Sequence, residues 1–202
     1  MKGRKPILRM RMPAVDNNRS MEKEKMVWRT WLQVFATSAL LFGGVSVFAL
    51  HESIEYKNKS QGFSIRVPST WEIKESSGGM EVIAASPLQG ESKDQFRPNI
   101  TVSVENVPHD MTLNKYIPGR IEQTRQLMKD FKVHRTGRQV ISHTMARWWG
   151  ISSRANTVNI KGSLIIVVKN SKAFTITCVS ALEQYSSYRD KFQDIVGSFL
   201  IE

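Results

Sequence analysis

An uncharged stretch from Thr30 to Leu50 is the feature that most constrains this chain. As a helix rising about 1.5 Å per residue, it would extend roughly 30 Å, the thickness of the hydrocarbon core of a bilayer. Lys23, Lys25 and Arg29 come directly before it. Because positive charge before an apolar segment stays on the cytoplasmic side, the sequence predicts that the rest of the chain crosses a membrane.

Two fates of this segment stay open. Val47 and Ala49 are small residues at the positions that signal peptidase inspects, which favours a signal peptide cleaved after Ala49. A retained membrane anchor is the alternative, because residues 30–50 are longer than most signal-peptide cores. The translation start also stays open between three methionines: Met1, Met21 and Met26.

Charge is distributed unevenly along the chain, whose net charge is +11. Residues 1–49 carry nine Lys or Arg and three Asp or Glu, whereas residues 50–202 carry 20 and 15. A nucleic-acid-binding protein would concentrate cations on its folded domain, so we expect no nucleic-acid partner. We predict a basic leader (1–29), a signal-peptide core or membrane anchor that contacts the membrane (30–50), and one folded domain (51–202).

The predicted domain consists of strands separated by two helices. Apolar and polar residues alternate in Gly62–Val67 and Asn99–Glu105, as in strands with one buried face. Thr112 is a candidate cap for the first helix, which we expect Pro118-Gly119 to interrupt or restart, and the second helix spans about Leu182 to Phe199. Further strands are predicted at Ser53–Lys57, from Trp71, and at Met80–Ala85, Lys132–His134, Gln139–Ile141, Ala146–Arg154, Ser163–Lys169 and Ala173–Val179. This order predicts the α+β class, an antiparallel β-sheet with helices packed on its faces.

Three groups of residues follow one another in the order of a known superfamily. They are Tyr56 with Gly62-Phe63-Ser64-Ile65, Pro68 and Trp71; Phe96-Arg97-Pro98-Asn99-Ile100; and Ile195-Val196-Gly197-Ser198-Phe199 at the end of an aromatic helix. In this order they resemble the PsbP-like domains, a superfamily that includes the Ran-binding Mog protein and the bacterial DcrB-like proteins. The resemblance covers residues 54–201 and implies an α-β-α sandwich around an antiparallel sheet.

The resemblance also implies a protein that binds other proteins and is not an enzyme. Together with the leader, it favours an exported accessory protein with a protein partner, in the periplasm or at the outer face of the membrane. One alternative is an extrinsic lumenal subunit of photosystem II that supports the oxygen-evolving cluster, in the thylakoid lumen of a photosynthetic source. An uncharacterised periplasmic hydrolase is the second alternative.

The sequence predicts no catalytic residues, no cofactor and no metal site. His109-Asp110 lies in a loop, and no second pair at ligand spacing accompanies it. His134 and His143 would flank a hairpin turn at Thr136-Gly137 and could approach each other across it. Cys178, the only cysteine, is expected to point into the core, where thiols are unreactive.

A cluster of basic side chains is the most distinctive surface feature of the sequence. Its members are Lys129, Lys132, His134, Arg135 and Arg138. Such a cluster can dock an acidic protein or an anionic lipid surface. Cations at a helix C-terminus also interact favourably with the helix dipole, so a solvated helix end is the alternative. We treat the five residues as candidate partner-binding residues.

Overall fold

The computed structural model describes residues 52–75, 82–88 and 96–202. The predicted leader and the apolar segment at 30–50 lie outside these ranges. Within the described residues, no helix combines the length and the apolar character that crossing a bilayer requires.

The elements in chain order are β1 (Ser53–Asn58), β2 (Phe63–Pro68), β3 (Glu72–Lys74), β4 (Val82–Ala85), β5 (Asn99–Asn106), α1 (Leu113–Leu127), β6 (Lys129–Ile141), β7 (Thr144–Ala155), β8 (Val158–Lys169), β9 (Lys172–Ala181), a 3-10 turn (Leu182–Gln184), α2 (Tyr185–Gly197) and β10 (Leu200–Ile201).

The strands form two sheets in which every neighbouring pair is antiparallel. A small sheet has the order β1-β2-β10, so the last strand of the chain joins two of the first. The large sheet has the order β3-β4-β5-β9-β8-β7-β6, which makes β3 and β6 its edges. Strands β6 to β9 therefore follow one another as a meander of hairpins.

One helix covers each face of the large sheet, and each face has its own core. On the α2 face, Phe63 stacks on Phe199 at 5.3 Å between ring centroids, and Trp71 packs edge-on against Phe192 of α2 at 6.3 Å. On the α1 face, Trp149 belongs to a smaller core that α1 covers. This layering confirms the predicted α+β class, with an antiparallel sheet between packed helices.

Helix α1 continues through Pro118, so the predicted interruption at Pro118-Gly119 is wrong. The Thr112 hydroxyl caps the helix by accepting a hydrogen bond from the Lys115 N–H at 3.3 Å. Ile117 and Ile121, on the two sides of the proline, pack against the same core. Packing of an apolar face contributes more to a helix in a protein than local propensity does, and here it holds both halves in one helix.

Strand β6 is continuous where the sequence predicted a turn at Thr136-Gly137. A side chain on Gly137 would meet the indole of Trp148 at 2.6 Å, so the glycine makes room for this ring and does not bend the chain. The chain turns instead at Ser142 and His143, which both have positive φ. His134 lies nine residues before this turn, about 30 Å away along a strand. The expected approach of the two histidines is therefore wrong.

Candidate functional site

A groove of about 1350 Å³ separates α2 from the facing surface of β6, β7 and β8. We call it the α2 groove. One side of α2 and of the turn before it forms the helix wall: Leu182, Tyr185, Arg189, Gln193 and Val196. The sheet forms the other wall, and the edge strand β6 forms its rim.

The groove exists because small residues occupy this part of the sheet. Gly150 of β7 pairs with Ser163 of β8, and Ser152 lies two residues further along the same face. Further along the same two strands, Trp148 pairs with Ile165, and both side chains pack in the core on the α2 face of the sheet. Where bulky side chains give way to small ones, α2 passes over the sheet without filling the space beneath it.

Basic side chains from three elements surround the groove. They are Lys132, His134 and Arg135 of β6, Lys161 of β8 and Arg189 of α2. Of the described residues that line the groove, Asp130 alone carries a carboxylate, and Arg154 binds this carboxylate at 2.7 Å. The surroundings of the groove are therefore electropositive.

Lys161 and Tyr185 connect the two walls. The ammonium group of Lys161 lies 4.9 Å from the centroid of the Tyr185 ring, within the range of a cation–π interaction. Burial raises the pKa of the Tyr185 phenol above its usual value. The phenol is therefore protonated at neutral pH and can donate a hydrogen bond to a ligand. At the rim, a hydrogen bond of 2.7 Å joins His134 Nε2 to Ser152 Oγ.

The structure divides the basic cluster that the sequence predicted. Three of its five members line the α2 groove: Lys132, His134 and Arg135. Arg138 is the neighbour of the groove-lining Gln139, and alternation along the strand places it on the opposite face. Lys129 lies at the start of β6, paired in register with Arg154, and does not line the groove. The role of all five in partner binding stays a prediction.

Sequence reasoning missed Lys161, Tyr185 and Arg189. Tyr185 shares the helical spacing of the core residues Tyr188 and Phe192, so the pattern alone does not distinguish it from them. In the structure the core stripe begins at Tyr188, and Tyr185 belongs to the groove. The available signal was a second, mixed stripe that recurs every three or four residues along the same helix and includes Arg189.

The other candidate residues do not line the groove. His109 Nδ1 is 3.4 Å from Ser171 Oγ, and Asp110 pairs with Lys115 at 3.1 Å. Throughout the described ranges, no group of three or more His, Cys, Asp and Glu could hold a metal ion. Cys178 is buried, and burial raises the pKa of its thiol to about 12.

Solved structures with the same architecture come from several organisms. CyanoP, the cyanobacterial PsbP of Synechocystis sp. PCC 6803, matches with a TM-score of 0.59 and 15% identity, over 81% of this chain and 99% of its own. The chain has the PsbP/Mog1 fold. LpqN of Mycobacterium tuberculosis, which is involved in cell envelope biogenesis, matches with a TM-score of 0.56 and 15% identity, over 74% of this chain and 90% of its own.

The Ran-binding protein Mog1p of Saccharomyces cerevisiae has this fold as well. It matches with a TM-score of 0.52 and 12% identity, over 75% of this chain and 96% of its own. No family model matches the sequence. No curated protein matches it at a significant level either. These likenesses extend to the fold, and the function has to be argued from the chain's own residues.

Proposed function

We propose that this chain is an exported accessory protein without enzymatic activity, and that it binds a protein partner at the outer face of the membrane. The α2 groove is the observation that carries the proposal. It is about 1350 Å³ in volume, open along β6 and surrounded by basic side chains from three elements. Such a lining holds a ligand by charge and by apolar contact, which is what a binding site requires.

The proposed location outside the cytoplasm depends on the leader and the apolar segment that follows it. The uncharged residues 30–50 follow a cationic flank, which is the arrangement that directs the rest of a chain outward. LpqN, with the same fold, is involved in cell envelope biogenesis, and this supports the proposed location. We expect the domain in the periplasm or at the outer face of the cytoplasmic membrane.

The proposed mode of action is binding to another protein. Mog1p has the same fold and is a Ran-binding protein, so this architecture supports protein recognition in at least one case. The second candidate function is an extrinsic lumenal subunit of photosystem II. The TM-score of 0.59 to a cyanobacterial PsbP favours it, and a source organism without photosynthesis would exclude it.

Site-specific photo-cross-linking in cells tests the proposed function. A photoreactive residue replaces Gln193, which is exposed on the helix wall of the groove, or Lys59, which is exposed in the turn between β1 and β2 and does not line the groove. We expect the full-length chain to form one discrete cross-linked product through position 193 and none through position 59. A chain that remains in the cytosol, or that forms no product through position 193, would contradict the proposal.

A further inference from the structure

We propose that the α2 groove binds an extended, acidic segment of a partner protein in which carboxylate side chains alternate with apolar ones. This inference rests on the proposed function, because it assigns the chemistry of the segment that the partner presents. Three observations carry it: three cations without carboxylate partners, apolar side chains at one end and on the helix wall of the groove, and an edge strand along its rim.

Three cations of the groove have no carboxylate partner. Among the described residues, no carboxylate forms a salt bridge with Lys132, Arg135 or Lys161, whereas Arg189 is already paired with Asp190 at 2.8 Å. A single exposed ion pair contributes little in water, so one small anion would bind weakly here. Several carboxylates on one segment can each meet a cation, and their contributions combine.

Apolar side chains at one end and on the helix wall of the groove can contact apolar groups of a ligand. Trp148 and Ile165 close one end, and nothing lies closer than 3.8 Å to a Cβ built on Gly150. On the helix wall, 47% of Leu182 is exposed. Burying this apolar surface is favourable roughly in proportion to its area. A purely polar polyanion would leave this contribution unused, so the best ligand carries apolar groups between its charges.

The open edge of the sheet favours an extended segment over a helix. Because α2 contains 13 residues, its wall is roughly 20 Å long. Strand β6 is an edge of the large sheet, so an extended segment beside it can pair with its backbone N–H and C=O groups, whereas the backbone groups of a helix already pair with one another. An extended segment of about six residues spans the same length, and its successive side chains point in opposite directions. One set can face the floor while the other meets the basic rim.

The chain's own N-terminal region is a poor occupant of the groove. Residues 1–49 carry nine Lys or Arg beside three Asp or Glu, so their net positive charge would oppose that of the groove. Charge complementarity therefore favours an acidic segment of a different protein over the N-terminal region of this chain or of another copy of it.

Fluorescence anisotropy with two matched peptides tests the inference. The full-length chain, in nanodiscs of zwitterionic lipid, is titrated against a fluorescein-labelled peptide in which Glu alternates with Leu over six positions. The second peptide has Lys in place of every Glu. We expect the Lys peptide to bind at least tenfold more weakly, and the affinity for the Glu peptide to fall as salt rises. Equal binding of the two peptides would overturn the inference.

Variants of the chain locate the binding surface. Lys161→Glu reverses a cation inside the groove, and Lys59→Glu makes the same change in the exposed turn between β1 and β2, away from the groove lining. We expect at least tenfold weaker binding of the Glu peptide for Lys161→Glu and a change within twofold for Lys59→Glu. Gly150→Leu, which fills the floor, should also weaken binding at least tenfold. If thermal melts show that Lys161→Glu is unfolded, Lys161→Gln replaces it. Equal losses at positions 161 and 59 would refute the groove as the site.

Cross-linking through position 193 distinguishes failure of this inference from failure of the proposed function. If the groove cross-links a protein partner but the Glu peptide does not bind, the proposed function stands and the acidic chemistry is wrong. A soluble short-chain phosphatidylglycerol serves as the competitor. If it displaces the Glu peptide at a lower concentration than unlabelled Glu peptide does, the groove is a lipid site and the inference is overturned.

Discussion

The thiol of Cys178 reports on the opening of the core on the α2 face of the large sheet. Its side chain is 0% exposed, belongs to that core and pairs in register with Ser163 of the groove floor. Burial raises the pKa of the thiol to about 12, and only the thiolate reacts with disulfide reagents. Labelling therefore requires this core to open, at a free-energy cost of about 5 kcal/mol or more in a stable domain. We expect Ellman's reagent to label the native full-length protein at pH 8 at least about a thousandfold more slowly than the urea-unfolded protein.

The same pKa shift predicts a loss of stability in alkali. A thiol whose pKa is about 12 when folded and 9.0 when unfolded stabilises the fold fully below pH 9, and this contribution is lost as the pH rises toward 12. Between pH 8 and pH 10 the free energy of unfolding falls by about 1.4 kcal/mol. The reason is that the thiol of the unfolded chain ionises over about one pH unit above its pKa of 9.0, while the thiol of the folded chain stays protonated. Urea titrations measure it against Cys178→Ala, which keeps every other alkaline group.

The free energy of unfolding of the wild type should fall by about 1.4 kcal/mol more than that of Cys178→Ala between pH 8 and pH 10. Parallel pH profiles for the two proteins would refute the buried position of the thiol. Labelling of the native protein within tenfold of the unfolded rate would refute it independently.

Three further predictions concern the packing of the fold, and urea denaturation measures each. Phe199→Ala removes the ring that stacks on Phe63 and should cost about 3–5 kcal/mol, whereas Phe199→Leu should cost much less. Gly162→Ala would drive its methyl group into the backbone of β9 and should destabilise the fold; Gly119→Ala, where a Cβ meets nothing within 4 Å, should stabilise α1 by up to about 1 kcal/mol. Thr112→Ala removes the cap of α1 and should cost about 1 kcal/mol. Equal stabilities of the Gly162 and Gly119 variants would contradict the close approach of β8 to β9.

Much of the fold was predictable because several of its strands alternate between apolar and polar residues. The alternation in Asn99–Asn106 indicates a strand, and the spacing of Tyr188 and Phe192 indicates the buried face of a helix. Neighbouring residues alone are enough to predict both. The errors in the predicted elements occur where residues distant in sequence determine the local conformation. Gly137 resembles a turn residue until Trp148 from the next strand lies over it, and Pro118 ends a helix only where no core holds both sides.

The candidate site was less predictable because its residues are distant in sequence. The basic residues of β6 stand out as a cluster, but a linear cluster cannot show that Arg138 and Lys132 lie on opposite faces of an edge strand. Lys161 and Arg189 are single cations in their own segments and join the groove only through the pairing of β8 and the packing of α2. A site assembled from three elements therefore had to come from the tertiary structure.

The small sheet has a consequence for when this domain can complete its folding. Arg66 N–H donates to Ser198 Oγ across 132 residues, and the two residues of β10 pair with β2 beside it. Such distant pairing is slow to form, and it cannot occur until nearly the whole domain has been synthesised. If the chain is exported as proposed, β1 and β2 can pair as a hairpin early, but β2 has no partner on its other side until residues 200 and 201 have crossed the membrane. The small sheet is therefore completed last.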